Sequence, residues 1–183
     1  MREIEIKARV ADKTSLLATL KAQAIILTEP VTQRDQVFGL PGAGGGSLGP
    51  WLRIRTETNN GQKRQIFTLK KSVTNQMDSI EHETEVANEV ELAKIIEHIG
   101  YTPYSDSTKT RQKARRRDIE ICIDAVESLG DFIEAEKLTT EDADYEKVAE
   151  ELWALLINFG IRRDDQVNDG YDVLIRKNQG FED

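Results

Sequence analysis

The sequence predicts an α+β protein built mainly from antiparallel strands. Three observations carry this. The opening run EIEIKAR alternates Glu3, Glu5 and Lys7 with Ile4, Ile6 and Ala8, and a side-chain period of two fits a strand. Asn60-Gly61 separates two strand-like runs and is a strong hairpin signal. Apolar residues at helical spacing mark a few helices among these strands.

Taken in order, a strand over residues 2–10 leads into a helix. Asp12 is its N-cap, and Leu16, Leu17 and Leu20 form its apolar stripe. An extended stretch runs from about Ile25 to Phe38. The segment GLPGAGGGSLGP, residues 39–50, follows as a flexible loop. It lacks the Gly-Lys-Ser/Thr ending of a P-loop and no helix pattern follows it, which excludes a Walker A motif. Strands are expected at 51–57, 62–71 and about 80–87. Leu92, Ile95, Ile96 and Ile99 mark a helix with Asn88 as cap and Gly100 past its end. Three more strands fall near 107–116, 117–126 and 131–138. Tyr145, Val148, Ala149, Leu152, Leu155, Leu156 and Phe159 give a long amphipathic helix closed by Gly160. A last short helix carries Tyr171, Leu174 and Ile175. No interdomain linker interrupts the series, so residues 1–183 are expected to form one domain.

Composition narrows the function. The chain of 183 residues is 38% hydrophobic and 32% charged, enough for a real core in a highly charged protein. No apolar stretch is long enough to span a membrane, and no signal peptide precedes the first strand. The single cysteine, Cys122, cannot form an internal disulfide, which suits a reducing cytoplasm. A formal charge of −8 argues against generic nucleic-acid binding.

The charges on the strands sit in phase. Glu3, Glu5, Lys7 and Arg9 share one face of the first strand. Arg53 and Arg55 share a face, as do Glu81, Glu83 and Glu85. Lys109, Arg111, Lys113 and Arg115 alternate in the same way, as do Glu120 and Asp124, and Glu134 and Glu136. Two arrangements fit this pattern. One is an open sheet with a solvated charged face, whose ion pairs are each worth less than about 1 kcal/mol. The other is a closed barrel with the charges inside, where they must pair with each other, with metals or with a charged ligand. The phased positions are mostly acids and bases rather than Thr, Ser and Gln, and this favours the barrel. Acids clustered on strands apart from many of the bases suit divalent cations. The bases suit phosphate oxygens. The ligand expected from the pattern is a metal-chelated polyphosphate.

The same residues resemble the CYTH proteins, or triphosphate tunnel metalloenzymes. This family includes class IV adenylyl cyclases, thiamine triphosphatases and tripolyphosphatases. Glu3-x-Glu5-x-Lys7 resembles the family's ExExK. Asp35 and Phe38 resemble its next strand, Leu52-Arg53-Ile54-Arg55 its LRIR element and Thr68-Leu69-Lys70 its TLK strand. Glu83-x-Glu85 resembles its paired acids and Lys109-x-Arg111 its later basic strand. Asp124, Leu129-Gly130-Asp131-Phe132 and Glu134-x-Glu136 complete the series. The matches span nearly the whole chain in the expected order.

The resemblance implies a closed eight-stranded antiparallel β-barrel, a triphosphate tunnel open at both ends with helices packed outside. It implies Mg²⁺ or Mn²⁺ held mainly by Glu3, Glu5, Glu134 and Glu136, with Asp124 nearby. It implies a triphosphate, as in ATP, tripolyphosphate or thiamine triphosphate, cradled by Lys7, Arg53, Arg55, Lys70, Arg111 and more weakly Lys109. Lys7, Lys70 and Arg111 are its expected catalytic members, and Glu83 and Glu85 would orient the bases or help with metal. The LGDF-IEAE run looks most like the class IV cyclase branch; hydrolysis or simple binding of a triphosphate are the alternatives. The resemblance also leaves a homodimer open. One departure falls at the C-terminus. Where the family has Ser-Tyr-x-x-Leu-Leu, this chain has Gly170-Tyr171-Asp172-Val173-Leu174-Ile175, keeping the tyrosine and aliphatic pair but with an acidic local charge. His82 and His98 lack zinc-site spacing, and Trp51 and Trp153 read as packing residues.

Overall fold

The computed structural model describes residues 1–42 and 49–181. Half of the expected glycine-rich loop, residues 43–48, therefore lies outside the described residues. The strands are β1 (Arg2–Arg9), β2 (Val31–Gly39), β3 (Trp51–Asn59), β4 (Gln62–Ser72) and β5 (Asp78–Glu85). They continue with β6 (Thr102–Arg116), β7 (Ile119–Val126), β8 (Gly130–Thr139) and the two-residue β9 (Gln166–Val167). The helices are α1 (Lys13–Ala22), α2 (Glu89–His98), α3 (Tyr145–Asn158) and α4 (Tyr171–Asn178).

The strands pair in the order β5-β4-β3-β2-β6-β7-β8-β1, and a further β1–β5 pairing closes the ring. All these ladders are antiparallel. The open-sheet alternative is therefore excluded, and the eight-stranded barrel stands. Closure is narrow. Only Arg2, Glu3 and Ile4 face β5, opposite Ile80, Ser79 and Asp78. Beyond them, β9 covers the same edge of β1 at Lys7 and Ala8. Arg2 also clamps the seam. Its Nε and Nη2 donate to Asp78 at 2.7 and 2.9 Å, and its Nη1 donates to the carbonyls of Glu141 and Ala143.

Local signals explain the elements. Asp12, Asn88 and Asp144 cap α1, α2 and α3 by accepting from Ser15 N, Glu91 N and Lys147 N, which satisfies orphan N–H groups of the first turn. Asn60 and Gly61 both take positive φ, 49° and 79°, as a tight two-residue hairpin requires. The expected strand near 107–116 begins earlier, at Thr102, because Thr102 and Pro103 pair with the end of β2 across an irregular register. The strand expected from 117 starts at Ile119, because Arg117 turns the chain with φ 58°.

The barrel is apolar outside and charged inside. Ile4, Ile6 and Ala8 of β1 join Ile121, Ile123 and Ile133 against Leu16 and Leu20 of α1 and Leu152, Trp153 and Leu156 of α3. Leu52 and Ile54 of β3 pack with Phe38 and Ile96 of α2. Each large buried side chain adds about 1.5–3 kcal/mol. The helices thus cover the outer faces, and strand alternation sends the charged residues into the lumen. Among the described residues, no helix is long and apolar enough to cross a membrane.

Candidate functional site

The inward positions of the strands enclose a cavity of about 430 Å³. Glu3, Glu5 and Lys7 line it from β1, Arg53 and Arg55 from β3 and Lys70 from β4. Lys109 and Arg111 line it from β6, and Glu134 and Glu136 from β8. Register explains the grouping: Glu5 lies opposite Glu136, and Lys7 opposite Glu134.

The acids gather on the β1–β8 side. Oxygens of Glu5, Glu134 and Glu136 lie within 4.8 Å of one another, a spacing that one divalent cation could span. Burial and the neighbouring Glu3 push the Glu136 carboxyl up to about 8. Glu134 is instead held well below the usual carboxylate range. Arg111 and Lys7 outweigh the burial that opposes its charge. The acid cluster is therefore short of positive charge at Glu136, and a hard cation fits that deficit.

The bases form the other half. Arg55 is bound by Asp35 through two 2.7 Å hydrogen bonds. Arg111 donates twice to Asp124, at 2.7 and 2.6 Å, and also contacts Glu134 and Glu136. Lys70 pairs with Glu81 and lies 3.6 Å from Glu3. Arg53 and Lys109 are less well served. Burial and the neighbouring Arg55 lower the Arg53 pKa, and burial and Arg111 lower that of Lys109. Arg53 Nε is buried without a hydrogen-bond partner, although Nη2 reaches Thr68 and Glu83 at 3.2 Å.

Two expected site residues sit elsewhere. Asp124 is fully buried behind the cavity lining, where Arg111, Lys109 and the Tyr171 hydroxyl converge on its carboxylate. Glu85 is exposed, pairs with Arg64 and does not line the cavity. Glu83 is at the cavity wall, and Glu81, one alternation further in, holds Lys70. Glu81 shares the inward face of β5 with Glu83 and Glu85, so the phase was visible in the sequence although the depth was not.

The C-terminal segment also enters the lumen. Gly170, Tyr171 and Asp172 line it, and Gln76 anchors them by accepting from Gly170 N at 2.9 Å. The Tyr171 ring lies 4.2 Å from Lys7 Nζ and 4.7 Å from Lys109 Nζ. Its signal was the tyrosine that matched the family's C-terminal motif. Trp51, expected only to pack, lines the cavity beside Lys70, whose Nζ is 5.5 Å from its ring. Cys122 is buried with its thiol 3.8 Å from Glu120, and burial pushes its pKa well up. Both histidines are exposed.

Comparisons with known proteins agree with this architecture. An adenylate cyclase candidate of Methanocaldococcus jannaschii is 28% identical over 173 residues, which is 93% of this chain and 97% of the relative. The solved structure of PH1819 from Pyrococcus horikoshii superposes with a TM-score of 0.83 at 22% identity, covering 96% of this chain and 99% of that one. An adenylyl cyclase candidate from Hippeastrum, described as having a dominant triphosphatase activity, superposes at 0.61 with 17% identity over 100% and 97% of the two chains. The CYTH domain profile matches residues 1–171. With its motifs assembled around one charged lumen, the chain belongs to the CYTH domain family.

Proposed function

We propose that the protein is a divalent-metal-dependent enzyme acting on a triphosphate, and that its reaction is that of a class IV adenylate cyclase, ATP to cyclic AMP and pyrophosphate. One observation carries the metal–triphosphate reading. The same cavity holds three crowded carboxylates, Glu5, Glu134 and Glu136, with oxygens within 4.8 Å of one another, and a buried guanidinium, Arg53, whose Nε has no hydrogen-bond partner. A cation alone would correct the first, and an anion alone the second. A metal-chelated polyphosphate corrects both. The cyclase assignment draws on the LGDF-IEAE run and the name of the Methanocaldococcus jannaschii relative.

Glu3, Glu5, Glu134 and Glu136 would hold Mg²⁺ or Mn²⁺. Once bound, such a cation neutralises phosphate charge and orients the attacking oxygen. Lys7, Arg53, Arg55, Lys70, Lys109 and Arg111 bind the phosphate oxygens. Among them Lys7, Lys70 and Arg111 stabilise charge developing on the leaving group. Asp35 and Asp124 set the planes of Arg55 and Arg111 through paired hydrogen bonds, which pre-aligns both forks for phosphate. In this reading Asp124 positions an arginine rather than a metal.

A cyclase directs the ribose 3′-hydroxyl at the α-phosphorus; a triphosphatase directs water at the terminal phosphorus. The Hippeastrum protein's dominant triphosphatase activity favours hydrolysis as the second reading. The test is incubation with ATP, tripolyphosphate and thiamine triphosphate, each with Mg²⁺ or Mn²⁺. Cyclic AMP with pyrophosphate supports the cyclase, and orthophosphate release supports the hydrolase. Tight binding without turnover would make the protein a binding module. Neither binding nor turnover would refute the metal–triphosphate reading altogether.

A further inference from the structure

Lys7 and Lys109 come from strands on different sides of the barrel, yet both ammonium groups lie against one aromatic ring, Tyr171. Their ion pairs are loose. Lys7 Nζ is 3.3 Å from Glu134 and 3.4 Å from Glu5, and Lys109 Nζ is 3.2 Å from Asp124. Tight charge-assisted hydrogen bonds are about 2.7–2.9 Å. The lysines are therefore held off full contact with the acids while the ring supports their charge. The ring is itself fixed. Its hydroxyl donates to Asp124 at 3.0 Å, its edge packs on Phe132 with centroids 5.1 Å apart, and Gln76 anchors Gly170 next to it.

We infer that Tyr171 is a positioning residue of the phosphate cradle. Its ring keeps Lys7 and Lys109 poised for phosphoryl oxygens and stops each from collapsing onto its carboxylates. This rests on the metal–triphosphate reading above. The C-terminal helix thereby contributes to the site through a residue that need not touch the reacting atoms. Without the ring, Lys7 would close onto Glu134 and Glu5, and Lys109 onto Asp124. Substrate would then have to break those contacts first, and the cost would fall on binding more than on the chemical step.

The test is a set of variants at one position. Tyr171→Phe keeps the ring and loses only the hydroxyl's interactions with Asp124 and Glu134. Tyr171→Leu loses both. On the phenylalanine background, incorporation of mono-, di- and trifluorophenylalanine at position 171 drains the ring face of electron density with little change of shape. Binding of inorganic tripolyphosphate is measured by calorimetry, and KM and kcat are measured on the triphosphate that the wild type turns over. The expected result is a KM raised about tenfold in Tyr171→Leu with kcat within about threefold, and recovery to within about threefold of wild type in Tyr171→Phe. Tripolyphosphate affinity should fall stepwise with fluorination. Affinity flat across the fluorinated series would overturn the inference, and that series reads it even if Tyr171→Leu does not fold. So would a loss in kcat and Tm with KM unchanged, which marks a structural role alone. A wild type that neither binds tripolyphosphate nor turns over any triphosphate would overturn the parent reading, and this inference with it.

Discussion

Asp78→Ala should test how the barrel is held shut. Direct β1–β5 pairing at the seam covers only three residue pairs. Its reinforcement is the Arg2–Asp78 pair, with the side chains 5% and 0% exposed. Asp78 also accepts from Thr74 N and Thr74 Oγ1, at 3.2 and 2.6 Å. Removing it leaves a buried guanidinium with two carbonyl partners and only Asp142, which makes no hydrogen bond to it, as a nearby counter-charge. Breaking one side of such a buried pair costs about 3–5 kcal/mol. In a protein of this size each kcal/mol moves Tm by about 2–4 °C, so the expected drop is roughly 6–20 °C. The double variant Arg2→Met/Asp78→Leu should lose less than Asp78→Ala, because it strands no charge. The assay is thermal unfolding by circular dichroism. The pH dependence has a fixed sign. Hydrogen bonds from Arg2 and Thr74 outweigh burial and hold Asp78 below the usual carboxylate range. Its contribution is present above the unfolded carboxylate pKa and is lost as pH falls through the depressed folded value. A Tm within about 1 °C of wild type for Asp78→Ala would refute the idea that this clamp closes the barrel.

Other outcomes follow from the charges in and around the lumen. Because Glu136 is raised to about 8, Mg²⁺ or Mn²⁺ binding should release protons below that pH and tighten as pH rises towards it; calorimetry in buffers of different ionisation enthalpy reads the proton count. The same elevation makes the metal-free protein lose stability as pH rises from the unfolded carboxylate value towards about 8, and added metal should restore more Tm at about pH 8 than at about pH 6. Arg53→Leu should lower kcat/KM on the triphosphate by roughly tenfold or more, as loss of a charge-assisted contact of about 1.5–3 kcal/mol implies. Glu85→Ala, outside the cavity, should leave kcat/KM within about twofold, as steady-state kinetics would show.

Strand phase makes much of this site legible in the sequence alone. A period of two fixes which residues face inwards, so Glu3, Glu5, Lys7, Arg53, Arg55, Arg111, Glu134 and Glu136 can be grouped from their spacing. Phase does not say how far along the barrel a residue sits. Glu81, Glu83 and Glu85 share one face, yet only the first two reach the cavity, because the outer end of β5 runs on past it. Nor does phase say what stands in front. Asp124 faces inwards and is still screened by the arginine and lysine it holds. The C-terminal contribution is harder to read. Tyr171 lies on a short helix with an acidic surrounding sequence, and its place in the lumen depends on Gln76 and on the two-residue strand β9, neither of which leaves a periodic trace.

The divided edge of β1, shared between β5 and β9, has a consequence for how the protein is made. The other edge pairs along its length with β8, beginning with Arg2 opposite Thr139, and Lys7 faces Val167 of β9. Strand β1 thus waits for partners that lie far along the chain. Such distant pairing carries a high loop-closure cost and slows folding. The lumen can be completed only after β8 and β9 have emerged, so a shorter nascent fragment carries the EIEIK strand without the acids of β8 opposite it. Acquisition of metal- and triphosphate-binding competence during refolding should therefore coincide with the slowest, last phase of folding.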